Sequence, residues 1–229
     1  MHKLTHYRLC PHSRSIRLAL GEAGMEATLA EERPWEWRPQ FLQLNPAGEL
    51  PVLEISGGPI LCGVYSIAEF LADETRRLTA GRPSMLFPGT SEDRAEVRRL
   101  VDWFGHKLDR EVTREALIEK VHAREQNPSH TPQAPIMRAL RSNLRYHLSY
   151  ISYLADQRRW LAGDEISFAD LTAAAQFSVL DFLGEVAWED YPVAKLWYAR
   201  VKSRPAFRPL LADRIPGVPP PLHYTDLDF

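Results

Sequence analysis

Cys10-Pro11-His12-Ser13 is the first stretch of this sequence whose residue types could do chemistry. It lies between an alternating polar and apolar run, Lys3 to Tyr7, and a segment where Ile16, Ala19, Leu20 and Ala23 recur at helical spacing. A cysteine at a helix N-terminus has its thiolate favoured by free N–H groups and by the helix dipole, which can lower its pKa. Dithiol exchange needs a second cysteine two residues after the proline, and Ser13 stands there instead. What remains is a one-thiol reaction, or activation of a thiol partner by Cys10 or Ser13. The bland alternative is a small residue in a tight turn, with Ser13 as the helix N-cap.

Two other stretches could bind. Pro34-Trp35-Glu36-Trp37-Arg38-Pro39 frames two tryptophans between prolines. In extended chain, residues two apart share a side, whereas a turn separates them. Trp37, between Glu36 and Arg38, is the expected exposed ring, and Trp beside Arg has the composition of an interface hot spot. Packing of both rings into the core is the competing reading. The C-terminal Tyr224-Thr225-Asp226-Leu227-Asp228-Phe229 mixes acids with large apolar groups after a proline run. It suits docking on a partner or lining the protein's own cleft, and a disordered end is the alternative. His122, His130 and His147 show no metal-ligand spacing and read as surface or capping residues, so no metal is expected.

The elements that must position these residues change in texture near residue 80. Before it, the expected order is β-α-β-α-β-β-α, the second helix being the faintest. Strands are expected at Lys3 to Tyr7, Ala27 to Glu31, Leu50 to Ile55 and Pro59 to Leu61, with a tight turn at Ser56-Gly57-Gly58 and a helix over Ser66 to Thr75. Gly24 sits where a helix terminator belongs. Beyond residue 80 the pattern is helical. Glu92 to Arg124 forms one long or two consecutive helices, striped by Val97, Leu100, Val101 and Phe104. Asn127 to Pro135 reads as a loop, and Ile136 to Leu154 as an amphipathic helix. Phe168 to Phe182 reads as a buried central helix, and Tyr191 to Lys202 as a last long one.

The composition is that of an ordinary globular protein: 229 residues, 45% hydrophobic and 25% charged. With 28 basic against 30 acidic residues and a pI near 6.5, a nucleic-acid partner held by phosphate contacts is not expected. No apolar run is long enough to span a membrane. Met1 to His6 lacks the apolar core of a signal peptide, and two cysteines make neither a disulfide framework nor a zinc site. The expected location is the cytoplasm.

Three ordered motifs resemble the glutathione transferase superfamily over roughly residues 1 to 212: Tyr7-Arg8-Leu9-Cys10-Pro11-His12-Ser13-Arg14, the run Asn45 to Leu53, and Leu161-Ala162-Gly163-Asp164-Glu165-Ile166-Ser167-Phe168-Ala169-Asp170. The resemblance implies an α+β then all-α chain: a thioredoxin-like domain over 1–78, a helical bundle over 88–212, and an extended tail over 213–229. It implies a cis bond before Pro51. It also implies a structural capping box, in which the Ser167 hydroxyl accepts from the Asp170 N–H and the Asp170 carboxylate returns to the Ser167 N–H.

Glutathione-binding members carry an acid–serine pair after the fourth strand, followed by an isoleucine and then an aromatic–leucine pair. Ile67 and Phe70-Leu71 fix that register, and the pair falls on Gly63-Val64, which offer no side-chain hydrogen bond. Hydrogen bonds to charged groups contribute about 1.5–3 kcal/mol each, so glutathione binding is expected to be weak or absent, and no cofactor is expected. These departures resemble a catalytically silent branch of the superfamily whose members bind FtsZ, the tubulin-like division GTPase of alphaproteobacteria. That resemblance implies a non-enzymatic homodimer at the division site that binds FtsZ polymers and supports constriction. Trp37, Trp35, Arg38, Asp226 and Asp228 are the candidate partner-binding residues. The rival readings are a glutathione-dependent transferase using Cys10 or Ser13, and a regulator that binds RNA polymerase.

Overall fold

The computed structural model describes residues 1–79 and 84–227; Asp228 lies outside the described residues. Strand β1 (His2–His6), helix α1 (Pro11–Glu22) and strand β2 (Ala27–Glu31) form a crossover that pairs β1 with β2 in parallel. Helix α2 (Pro39–Leu44), strands β3 (Val52–Glu54) and β4 (Ile60–Cys62), and helix α3 (Val64–Leu78) follow. The sheet order is β2-β1-β3-β4, with β3 antiparallel to both neighbours. Leu4 pairs with Leu29 on one side and Leu53 on the other, which puts two fully buried leucines, Leu4 and Leu53, at the sheet's centre.

Most boundaries sit within a residue or two of those expected. Tyr7 leaves the sheet because its carbonyl accepts from the Cys10 N–H (3.0 Å), closing the turn into α1. Helix α3 begins at Val64, two residues before Ser66, with Gly63 as its cap at φ 85°. Ile67, Ala68, Leu71 and Ala72 are its buried face, as the apolar spacing predicts, with Phe70 half-buried beside it. Leu50–Pro51 is cis.

The helical part opens on α4, one continuous helix over residues 91–126. Thr90 caps it in a capping box with Asp93. Beyond Asp102 its winding loosens: the Arg114 N–H donates to the Asp109 carbonyl and the Ala123 N–H to that of Ile118, each five residues back. This π-type winding explains the buried stripe. Phe104, Leu108, Val112, Ala116 and Val121 are all fully buried at steps of four or five, a spacing that would drift off one face of a regular α-helix. Helix α5 (Ala134–Gln157) starts inside the stretch expected to be loop, because Pro135 in a first turn gives up no needed N–H. Every residue of α6 (Phe168–Phe182) is buried, and α1 packs against it. Helices α7 (Pro192–Lys202) and α8 (Arg208–Leu211) complete the fold. Among the described residues no helix is long and apolar enough to cross a membrane.

The capping box over Ser167 and Asp170 is formed. Asp170 is fully buried and serves more than its own helix. It accepts from the Ser167 N–H (3.0 Å) and hydroxyl (3.2 Å), the Leu161 N–H (2.9 Å) and the Trp197 indole N–H (3.0 Å). A buried carboxylate is stable only when so surrounded.

The tail is ordered through residue 227, against the disordered alternative. Tyr224 is fully buried, its ring edge-on to Phe182 (5.2 Å), and its hydroxyl donates to the Leu210 carbonyl (3.1 Å) and accepts from Arg14 (3.2 Å). Beside it, the His223 ring lies 3.1 Å from the buried Asp181 carboxylate.

Ser167→Ala is expected to cost about 1 kcal/mol. Asp170→Ala, which leaves the Trp197 and Leu161 donors buried without an acceptor, is expected to cost about 3 kcal/mol. Tyr224→Ala should cost about 3–5 kcal/mol through its cavity. Urea unfolding of the three variants checks the order.

Candidate functional site

A cleft runs between the β1–α1 turn and the loosened part of α4. One lobe, about 310 Å³, is lined by Tyr7, Cys10, His12, Trp35, Asp109 and His122 among others. A second, about 410 Å³, reaches Cys62, Gly63, Val64 and Ser66, and shares His12, Glu49, Leu50 and His106 with the first. The π winding presents His106, Asp109 and Arg114 of α4 to this cleft.

Cys10, not Ser13, is the N-cap of α1: its sulfur accepts from the Ser13 N–H at 3.4 Å. Ser13 is fully buried and its hydroxyl has no partner, so it does not reach the cleft. Burial pushes the Cys10 thiol up, outweighing the help of the Ser13 and His12 donors. The thiolate expected at a helix start is therefore disfavoured, because here desolvation exceeds the dipole. Facing it, Asp109 is raised by burial, but His12 (3.7 Å) and Arg114 (3.1 Å) outweigh that and hold it ionised.

Gly63 and Val64 stand at the N-terminus of α3 and line the second lobe. Gly63 takes φ 85°, a region that side-chain-bearing residues rarely adopt. The Ser66 hydroxyl is committed to the Cys62 carbonyl (2.5 Å) and the Gly63 carbonyl (3.1 Å). The side chains at this end of the cleft are thus a hydrogen and an isopropyl group.

The tryptophans are separated by a tight turn, Pro34–Glu36, closed by the Trp37 N–H on the Pro34 carbonyl (3.2 Å). Trp35 turns inward. Its ring meets Tyr7 edge-on at 4.9 Å and lies 4.2 Å from the ring of His122. Trp37 turns outward, 63% exposed, and is the one non-glycine among the described residues at positive φ, 50°. Its ring rests on Gly48, where a Cβ would come within 3.0 Å of it. Arg38 pairs with Glu32, which is buried and also accepts from the Arg33 N–H (3.0 Å), so the loop's base is fixed while its tip protrudes. Arg8 ties that base to the tail: it pairs with Glu31 (2.7 Å) and donates to the Arg214 carbonyl (3.0 Å). Asp226 is exposed beyond the Tyr224 anchor.

Sequence reasoning misplaced two histidines. His147 is fully buried, accepting from the Trp103 indole (3.2 Å) and contacting Glu111 (3.1 Å). His122 lines the cleft, and burial lowers its pKa to about 4, so it is neutral at pH 7. Its Nε2 and the Tyr7 hydroxyl are both buried without a partner. Burial also pushes the Tyr7 phenol well up. The fully buried Arg14 was legible only as part of a motif, yet it bonds the Arg8 carbonyl (2.7 Å), Ser178 (2.8 Å), Tyr224 (3.2 Å) and Asp213 (3.3 Å). Among the described residues no cluster could hold a metal ion.

Tyr7→Phe removes a buried hydroxyl that bonds no protein group, so it is expected to leave stability unchanged or raise it by about 1 kcal/mol, read from the thermal midpoint. With its thiol pushed up, Cys10 is expected to alkylate at pH 7.5 more slowly than a free cysteine and to speed up as pH rises. A rate well above that of free cysteine at pH 7.5 would show an activated thiolate instead.

Comparison with known proteins agrees with this geometry. A family model described as the glutathione S-transferase N-terminal domain matches residues 9–74, and one for the C-terminal domain matches residues 115–205. The chain is 43% identical to FtsZ-localized protein A of Caulobacter vibrioides, covering 99% of this chain and 97% of that protein. It superposes on FzlA from C. crescentus with a TM-score of 0.92 at 42% identity, covering 100% of this chain and 99% of the other. It also superposes on a glutathione S-transferase from Sinorhizobium meliloti with a TM-score of 0.94 at 47% identity, covering 100% of each chain. With both halves matched in order and thioredoxin-like sheet and helical bundle in place, the chain belongs to the glutathione S-transferase family.

Proposed function

We propose that this protein is a non-enzymatic member of the family that binds polymers of FtsZ in the cytoplasm, acts at the division site and supports constriction. The observation that carries the reading is Trp37: a large aromatic 63% exposed, on strained backbone, above a base locked by the Arg38–Glu32 pair. Left-handed backbone at a bulky residue costs on the order of 1–3 kcal/mol and persists where the surroundings impose it. An exposed indole beside an arginine, Arg38, is suited to an interface anchor. Trp35 positions the turn from inside, and Asp226 adds an acid on the tail. The resemblance to FtsZ-localized protein A supplies the partner. A homodimer would present two copies of the Trp37 face and bridge filaments by avidity.

The chemistry of the cleft supports the non-enzymatic part. The thiol is pushed up, Ser13 is buried, and Gly63-Val64 replace the ligand's anchor. The kinship with the Sinorhizobium transferase favours a second reading, a glutathione-dependent transferase using Cys10. Retention on immobilised glutathione with aryl-halide conjugation that vanishes in Cys10→Ala would establish that reading and defeat ours.

Wild-type protein is expected to pellet with FtsZ and GTP. Trp37→Ala is expected to lower the amount pelleted at least tenfold, as loss of about 2 kcal/mol at a hot spot does, while its circular dichroism stays native. Equal pelleting of the variant would rule out Trp37 as the anchor.

A further inference from the structure

Helix α5 carries charge of one sign on its outer face. From Ala134 to Ala155 it holds three arginines, Arg138, Arg141 and Arg145, and no aspartate or glutamate. Its buried side is built from Met137, Leu140, Leu144, Leu148 and Ile151. The arginines, spaced by three and four residues, stand together on the exposed side, in a row about 10 Å long. Arg141 is tied down, its Nε donating to Glu185 at 2.9 Å, and Lys120 of α4 pairs with the same buried carboxylate. Arg138 and Arg145, on either side of it, have no ion pair among the described residues. The next acids lie on the turn Trp188–Asp190, where Glu189 is taken up by Lys195 of α7 (2.6 Å). Lys120, Arg138, Arg141, Arg145 and Lys195 thus stand against Glu185, Glu189 and Asp190, a positive excess on a chain whose formal charge is -2. Helix α7, packed against α5, adds Leu196, 68% exposed.

We propose that the outer face of α5 docks on an anionic lipid surface, its arginines among the headgroups and no helix entering the bilayer core. A basic face on an amphipathic helix suits such a surface. The row is straight and lies on the convex side of a helix, so it meets a plane of many negative charges. A single carboxylate would instead call for a concave site with converging donors. Ala139, Ser142 and Ser149, the exposed residues between and beside the arginines, are small and leave headgroup phosphates free to approach the guanidinium forks. Leu196 adds apolar surface at headgroup depth. Docking in this way fixes which side of the molecule faces the lipid, and it does not rest on the role of Trp37.

The test is sedimentation of the full chain with vesicles of phosphatidylcholine alone or mixed with phosphatidylglycerol. Wild-type protein is expected to sediment with the mixed vesicles at low salt, to stay in solution with phosphatidylcholine, and to be released when added salt screens the charges. Each arginine near an anionic surface contributes about fivefold to partitioning, so Arg138→Gln combined with Arg145→Gln should weaken binding about thirtyfold, with native circular dichroism because both side chains are exposed. Arg124→Gln combined with Arg208→Gln removes the same charge from exposed positions at the end of α4 and on α8, and should bind like wild type. No sedimentation of the wild type, equal sedimentation with phosphatidylcholine alone, or equal loss in the two double variants would each overturn the proposal. Retention on poly-glutamate or DNA without vesicle binding would assign the face to an acidic protein segment or a nucleic acid, and would overturn it too. FtsZ is absent from the assay, so its failure and a failure of FtsZ pelleting are separate results.

Discussion

A guanidinium with no exposure to water organises this molecule. Arg14 cannot shed its charge, and burial alone would favour losing it, but Tyr224 and Asp213 hold its pKa up. A buried cation persists when it is paired and hydrogen-bonded, and the four bonds of Arg14 reach partners from three places. The Arg8 carbonyl belongs to the β1–α1 turn, Ser178 to the central helix α6, and Asp213 with Tyr224 to the C-terminal segment. The same bonds therefore fix the cleft's near wall, join the sheet part to the helical part and draw a proline-rich tail onto the body. Arg17 reinforces the last of these through Asp213 (2.8 Å). What the constraint leaves protruding, with its base anchored and its tip in water, is the Trp37 turn.

In the cleft, the Cys10 thiol is pushed up by its burial. Desolvation at Cys10 outweighs the helix start, and Gly63 and Val64 present no side-chain hydrogen-bonding group. Relatives of almost equal similarity bear the names of a transferase and of an FtsZ-localized protein. A shared fold therefore decides little about function here, and the site residues decide most.

Local signals were legible and long-range ones were not. The Ser167–Asp170 box could be read because its bonds span three residues, and the buried face of α3 followed from the apolar spacing of Ile67 and Leu71. The separation of Trp35 from Trp37 was open in the sequence, since either a turn or an extended chain fits between two prolines. Past Asp102, arithmetic at 3.6 residues per turn lost its phase, because each five-residue bond adds about one residue to the turn. This is why His122 could not be placed on the cleft; His147 lies in the regular helix α5, in step with the buried Leu140, Leu144 and Ile151, and that spacing was a signal for its burial. Tyr224 and Arg14 meet across 210 residues of chain, and no spacing rule reaches that far. The disordered reading of the tail failed on contacts of that kind, Tyr224 with Arg14 and Phe182 and His223 with Asp181 among them.

Hydrogen exchange tests the central claim most directly. The amides of residues 33–38 should exchange more slowly when the protein is bound to FtsZ polymers, while those around Cys10 and Gly63 keep their free rates. Protection confined to the Cys10 and Gly63 walls, with the Trp37 turn exchanging as in the free protein, would contradict the account.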